Sequence, residues 1–245
     1  MSVTLNPIVI IPARMASTRL PGKPLALIGG VPMIVRVWER ATASFPGPVV
    51  VACDGVAIAE AVERAGGRAV LTDPDLPSGS DRIYAALGQA DPQKKHDIIV
   101  NIQGDMPTLD LALVGQVVAL MHRPEVAIGT LAALISEARE VHDPAVVKVA
   151  VAESGRALYF SRATIPHGEG PCYHHIGIYA YRRTALEQFV ALPPSPLEKR
   201  EKLEQLRALE AGMRIDVGIT RAVPLGVDTP ETLELARTHY EKGML

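Results

Sequence analysis

Apolar residues fall along this chain in two alternating rhythms. Short unbroken runs at 8–11, 49–52, 68–71 and 98–102 have the length expected of buried strands, and those at 8–11, 49–52 and 98–102 are rich in β-branched residues. Between them lie stretches with helical spacing, at 31–43, 57–65, 80–87 and 109–121. In the first of these Ile34, Val37, Trp38 and Ala41 share one face, and the second stops at Gly66-Gly67, a C-terminal signal. Unbroken apolar strands alternating with helices predict a mostly parallel sheet covered on both faces, a three-layer α/β/α domain. Such sheets bind ligands beyond the carboxyl ends of their strands, so the loops after Ile11, Leu71 and Ile102 are the places to search.

The rhythm changes in the second half. Strands at 126–134, 146–151, 157–160 and 176–181 follow with fewer helices between them, which predicts a mixed extension or hairpin-like arm within about 126–190. A charged amphipathic helix at 197–209, strands at 216–219 and 223–227, and a helix at 230–240 complete the chain. Repeats, low-complexity tracts and clear linkers are missing from the sequence, so one domain over residues 1–245 is expected.

Composition narrows the function. Hydrophobic residues make up 48% and charged residues 21%, the values of an ordinary folded protein. A net charge of −2 withholds the basic face that nucleic-acid binding requires. No apolar run reaches the roughly 18 residues of a membrane span, and residues 1–6 lack a signal-peptide pattern. Cys53 and Cys172 stand alone without paired spacing, which argues against a disulfide framework or zinc site and for the cytoplasm.

Four constellations carry chemistry. The loop after the first strand, Pro12 to Pro24, holds Arg14, Arg19 and Lys23 with no acid among them, and its small residues let the backbone approach an anion. A plain basic surface loop would look the same, but the place after strand one favours phosphate binding. Asp105 follows the 98–102 strand beside a glycine turn, as a cation ligand or a turn aspartate would. Asp228 precedes the last helix, as an N-cap would. Ser78-Gly79-Ser80-Asp81-Arg82 reads as a capped helix start. Two further segments, around Arg162 and around His175 and Tyr179, carry polar residues near strand ends. Arg162 suits a bidentate carboxylate clamp, and at a period of two His175 and Tyr179 share a strand face. Glu204 and Gln205 lie in the charged helix, where a solvated face with a Glu204–Arg207 pair is the bland alternative.

The string IPAR-x-ASTRLPGKPL over residues 11–25 resembles the signature of the sugar-acid cytidylyltransferases, most of all the 3-deoxy-D-manno-octulosonate (Kdo) cytidylyltransferase family. Similar segments recur at QGD, SRATIP, HIGIY, PSPLE, LEQLR and VDTPE, covering residues 8–237. The resemblance implies a GT-A-like, Rossmann-like nucleotidyltransferase fold whose smaller β region forms a homodimer. It also implies transfer of CMP from CTP to a sugar acid, with pyrophosphate released. Pro12, Ala13, Arg14, Arg19, Lys23, Ser78, Gly79, Arg82 and Gln103 would then bind the nucleotide, and Asp105 and Asp228 would hold Mg²⁺. Gln103, Arg162, His175, Tyr179, Glu204 and Gln205 would meet the sugar acid. The chain departs from the family at Met106, where Glu is usual, at His174, where Arg or Lys is common, and in a shorter stretch between Pro166 and His175. The expected acceptor is Kdo, giving CMP-Kdo for lipopolysaccharide biosynthesis; the alternatives are an 8-amino analogue or a nonulosonic acid such as sialic acid, a glycosyltransferase, or a nucleotide-binding regulator without turnover.

Overall fold

The computed structural model describes residues 4–221 and 223–243. The chain divides into two compact units, one built from Asn6–Gly115 and the chain from Pro224 on, the other from Gln116–Val223.

The first unit opens with β1 (Pro7–Ala13), fully buried from Ile8 onward. After the basic loop, β2 (Leu27–Ile28) and β3 (Val31–Pro32) form a small hairpin, and α1 (Met33–Ser44) follows. Then come β4 (Val49–Cys53), α2 (Val56–Arg64), β5 (Arg68–Leu71), α3 (Gly79–Ala90), β6 (Ile98–Asn101) and α4 (Ala112–Leu120). Strands β6, β1, β4 and β5 lie side by side in that order, all parallel, with Val9 opposite Val49 and Ile8 opposite Ile99. The runs at 8–11, 49–52 and 98–102 are buried as expected, and helices α1, α2 and α3 pack around them. β5 departs from that pattern: it is the edge strand, with Val70 buried but Leu71 48% exposed. Because all four strands run one way, their carboxyl ends open on one edge, and the basic loop, Asp54 and the QGD turn all begin there.

The hairpin was not anticipated. Gly29 and Gly30 take left-handed φ values of 56° and 76°, the conformation of a tight two-residue turn, so Val31 and Pro32 are strand and the helix begins at Met33.

In the second unit β7 (Ile128–Leu134) is followed by a short α5 (Ala138–His142), β8 (Lys148–Val151), β9 (Ala157–Ser161) and the long β10 (Tyr173–Arg182). Helices α6 (Arg183–Ala191), α7 (Pro196–Glu201) and α8 (Gln205–Glu210) lead to β11 (Ile215–Thr220). β7 pairs antiparallel with β10 and parallel with β11, while β8 bridges β10 and β9 in antiparallel fashion. The mixed extension is therefore present. The single helix expected over 197–209 is broken in two: Lys202 adopts a left-handed φ of 56° and ends α7, and α8 restarts at Gln205.

The chain returns to the first unit and ends in α9 (Pro230–Glu241). No strand forms at 223–227; the backbone there is held instead by Thr108 and Asp105. The hairpin and α9 bury Ile28, Met33, Val227, Leu233 and Ala236 together. The Tyr240 ring sits so close that a Cβ on Gly29 would lie 2.0 Å from it, and the Arg36 guanidinium covers its face at 4.2 Å. This packing anchors the segment that carries Asp228.

Candidate active site

The first unit contains a cleft of about 700 Å³ at the carboxyl ends of its strands. The basic loop forms one wall through Pro12, Ala13, Arg14, Arg19 and Lys23. Ser78, Gly79 and Arg82 line another part, and Gln103, Asp105 and Asp228 a third. Every residue expected to bind the nucleotide or a metal, drawn from four separate segments, thus borders one cavity.

Local geometry explains each placement. Gly22 takes a left-handed φ of 67° and opens a 3-10 turn at Lys23–Leu25, so the loop reverses and Lys23 reaches inward. Gly104 is required by close approach: a Cβ there would stand 2.6 Å from the carbonyl oxygen of Pro12. Ser78 caps α3, its Oγ accepting from the Asp81 amide at 3.2 Å. Arg82 is 3% exposed; its Nη1 donates to Thr72 Oγ1 at 2.5 Å and to the Asp73 carbonyl at 3.2 Å. The arginine thus props the residues before the Ser78 turn. Gln103 donates through Nε2 to Asn101 Oδ1 at 3.3 Å.

The charged centre of the cleft is Lys23. Its Nζ lies 2.8 Å from Asp105 Oδ2 and 2.8 Å from Asp228 Oδ1, and Arg19 Nη2 meets Asp228 Oδ2 at 3.0 Å. Burial works against the lysine charge, but the two carboxylates outweigh it and its pKa rises. For Asp228, burial pushes the carboxyl up, while the hydrogen bonds and charges of Lys23 and Arg19 win and hold it below the usual range. Asp228 is not the cap of α9; that is Thr229, whose Oγ1 accepts from the Thr232 amide. The aspartate is left to face the cleft. Two carboxylates converge on one positive centre, and their oxygens are of the kind that could also hold a hard divalent cation. Among the described residues no cluster of three or more His, Cys, Asp or Glu could hold a metal, so any further ligands would come from substrate and water.

Asp54, at the end of β4, was missed. Its Oδ1 accepts from the Met15 amide at 3.0 Å, holding the basic loop, and its Oδ2 lies 3.9 Å from Arg82. A carboxylate directly after a buried strand is the same signal that marked Asp105.

Of the residues expected to meet the sugar acid, Gln103 lines the first unit's cleft, and Arg162, His175, Tyr179, Glu204 and Gln205 lie in the second unit. A β-bulge interrupts the pairing of β10 with β7 between Ile176 and Tyr179, and Thr130 fills it. Thr130 Oγ1 lies 2.8 Å from the Ile178 carbonyl, 3.2 Å from that of Ile176 and 3.0 Å from His175 Nε2. A hydroxyl has one hydrogen, and the carbonyls can only accept it, so His175 must donate from Nε2 and keep a lone pair on Nδ1. Burial drives the His175 pKa down to about 3, and the ring is neutral. The bulge leaves His175 beside Tyr179, with ring centroids 5.5 Å apart. Burial, with Tyr181 and Glu204 nearby, raises Tyr179 well above its ordinary value, so it stays an O–H donor.

The break between α7 and α8 turns Glu204 and Gln205 into the start of a short helix. Arg207 ties α8 back to α7 by donating to both oxygens of Glu198, at 2.6 and 2.8 Å. Its distance to Glu204 is 3.8 Å, so the Glu204–Arg207 pair exists but is secondary. Gln205 is 7% exposed, and its Nε2 is a buried donor with no protein acceptor among the described residues. Such a group calls for a ligand.

Arg162 departs from expectation. Its Nε donates to the Glu201 carbonyl and its Nη1 to the Pro144 carbonyl, both at 2.9 Å. These two backbone carbonyls thus occupy Nε and Nη1 of the guanidinium. Nη2 is the nitrogen left to meet a ligand. Two unpredicted residues hold this segment. Glu201 accepts from Ser161 Oγ at 2.8 Å and from the Arg162 amide at 3.0 Å. Lys148, wholly buried, donates to the carbonyls of Asp143, Val146 and Arg162 at 2.7–2.8 Å. A lone lysine inside the apolar run 146–151 was the available signal.

Residues 8–215 match the family model described as cytidylyltransferase. A 3-deoxy-manno-octulosonate cytidylyltransferase of Parvibaculum lavamentivorans is 62% identical over 237 residues, covering 95% of this chain and 92% of the relative. One of Rhodospirillum rubrum is 61% identical, covering 94% of each chain. Among solved structures, CMP:2-keto-3-deoxy-manno-octonic acid synthetase complexed with CTP superposes with a TM-score of 0.91 at 39% identity, over 97% of this chain and 99% of that one. A cytidylyltransferase from Leptospira borgpetersenii shares the fold, with a TM-score of 0.64 at 19% identity, over 98% of this chain and 88% of that one.

Proposed function

This chain belongs to the cytidylyltransferase family, and from that premise we propose that it joins CMP from CTP to Kdo, releasing pyrophosphate, as a step in lipopolysaccharide assembly. The observation that carries this reading is the meeting of Arg19, Lys23, Asp105 and Asp228 in the cleft that Ser78, Gly79, Arg82 and Gln103 also line.

The sugar's anomeric oxygen attacks the α-phosphorus of CTP, forming the new O–P bond as the bond to the β-phosphate oxygen breaks. Pyrophosphate carries away the electron pair, and the hydroxyl proton is released. The residues of this chain bind and orient. Arg14, Arg19 and Lys23 hold the triphosphate and oppose the charge that grows on the leaving group. The Ser78–Gly79 turn and Gln103 hold the nucleoside, with Arg82 as their support. Gln205, Glu204, Tyr179 and His175 bind the hydroxyls of the sugar acid, with Arg162 Nη2 directed to its carboxylate. Asp105 and Asp228 would hold Mg²⁺, which would supply neutralisation of the charge that develops on the phosphates. No Ser–His–Asp or Cys–His set is brought together among the described residues of the cleft, in keeping with direct displacement.

Among the described residues no helix is long and apolar enough to cross a membrane. Cytoplasmic location, resting on the unpaired cysteines, and a homodimer built through the second unit, resting on the family resemblance, complete the proposal. The deciding test is pyrophosphate release with each of the four nucleoside triphosphates against Kdo, 8-amino-Kdo and sialic acid. CTP with Kdo should be fastest; a faster rate with another nucleotide or with sialic acid would overturn the assignment.

A further inference from the structure

We infer that Lys23 is the resident cation of the Asp105–Asp228 pair in the nucleotide-free protein, and that a divalent cation must compete with it there, entering most readily as a triphosphate draws the lysine away. The inference rests on the reading above, in which this pair holds the metal.

The geometry sets the competition. The ammonium touches both carboxylates at 2.8 Å, while Arg19 touches one oxygen of Asp228 alone. Lys23's side chain is 16% exposed, against 65% for Arg19, so the lysine is the partner held inside. The carboxylates themselves are tied together: the Val227 amide donates to the Asp105 carbonyl at 2.9 Å, and Leu225 is held by Thr108. The lysine, on a flexible four-carbon stem, is the movable member. It also lines the same cleft wall as Arg14 and Arg19, where the triphosphate is expected. Phosphate oxygens there can replace both carboxylates as its partners. The protein offers the metal two carboxylates, and Mg²⁺ typically completes its shell with water and substrate phosphates. Nucleotide arrival therefore removes the competitor and supplies the missing ligands in one event.

The test is Mn²⁺ binding followed by the loss of the free-ion paramagnetic resonance signal, without nucleotide. Lys23→Met and Lys23→Gln should each bind Mn²⁺ about tenfold or more tightly than the wild type, since an occupied site lowers apparent affinity by its occupancy. Adding Asp228→Asn to either should cancel the gain. In the wild type, saturating Mn²⁺ should raise the reactivity of Lys23 toward acetic anhydride, read by mass spectrometry, which serves even if the variants fold poorly. Equal Mn²⁺ affinity in wild type and variants, with Lys23 reactivity unchanged, would overturn the inference while leaving the metal site standing. Failure of every form to bind Mn²⁺, even with CTP beyond what CTP alone binds, would overturn the metal reading itself.

Discussion

The amide of Val227 donates to the carbonyl of Asp105 at 2.9 Å, so the two segments that carry the cleft's carboxylates are joined by main chain. The separation of Asp105 and Asp228 is thereby fixed by backbone, and substitution of either side chain should leave it in place. Asp105→Asn and Asp228→Asn are expected to keep the native circular-dichroism spectrum and to lower kcat about 100-fold or more, the scale of losing a group that stabilises transition-state charge. Near-normal rates in either folded variant would remove both from the reaction.

Arg19 is the exposed cation of the triphosphate wall, and its contact with Asp228 is too open to matter for folding. Arg19→Ala should leave Tm unchanged while kcat/KM for CTP drops about tenfold or more, the equivalent of one charge-assisted hydrogen bond. A change confined to the KM of the sugar acid would place Arg19 elsewhere.

Gln205 sets stability against function. Its buried Nε2 bears a desolvation cost that an apolar side chain of similar shape avoids, so Gln205→Met should raise Tm or leave it unchanged. The same substitution should raise the KM for Kdo about tenfold or more and alter the ranking among sugar acids. If Tm falls and the ranking holds, the amide is structural.

His175 makes stability depend on pH. Burial lowers its pKa from 6.5 to about 3, so the folded protein keeps the ring neutral while the unfolded chain takes up a proton. Protonation therefore favours the unfolded chain: the contribution is complete above about pH 6.5 and is lost steadily as pH falls toward 3. Calorimetry of His175→Gln should show a shallower fall of Tm with acid than the wild type; parallel slopes would show that another group carries the effect.

Lys148→Met should cost about 3 kcal/mol, because three part-buried carbonyls lose their donor at once. Urea denaturation would reveal this as a lower midpoint at unchanged m. An unchanged midpoint would mean water replaces the ammonium.

Legibility in the sequence followed the range of the forces involved. Ile8–Ile11 and Ile98–Ile102 announce buried parallel strands because periodicity is local, and their carboxyl ends then locate Lys23 and Asp105. Family resemblance, not local pattern, singled out Asp228 over an N-cap. Lys202 hid the break between α7 and α8, since nothing about a lysine signals a left-handed turn. The true partners of Arg162 were hidden for another reason: backbone carbonyls carry no residue identity, so no sequence pattern marks them as acceptors.

Lys23 and Asp228 meet across 205 residues of chain. A nascent chain emerging from the ribosome can form β1, β4, β5 and β6, and with them Lys23 and Asp105, long before the second carboxylate has been translated. Contacts of such long separation form late and slowly. A chain that stops short of residue 228 therefore carries Lys23 and Asp105 without the second carboxylate that Lys23 bridges in the finished protein.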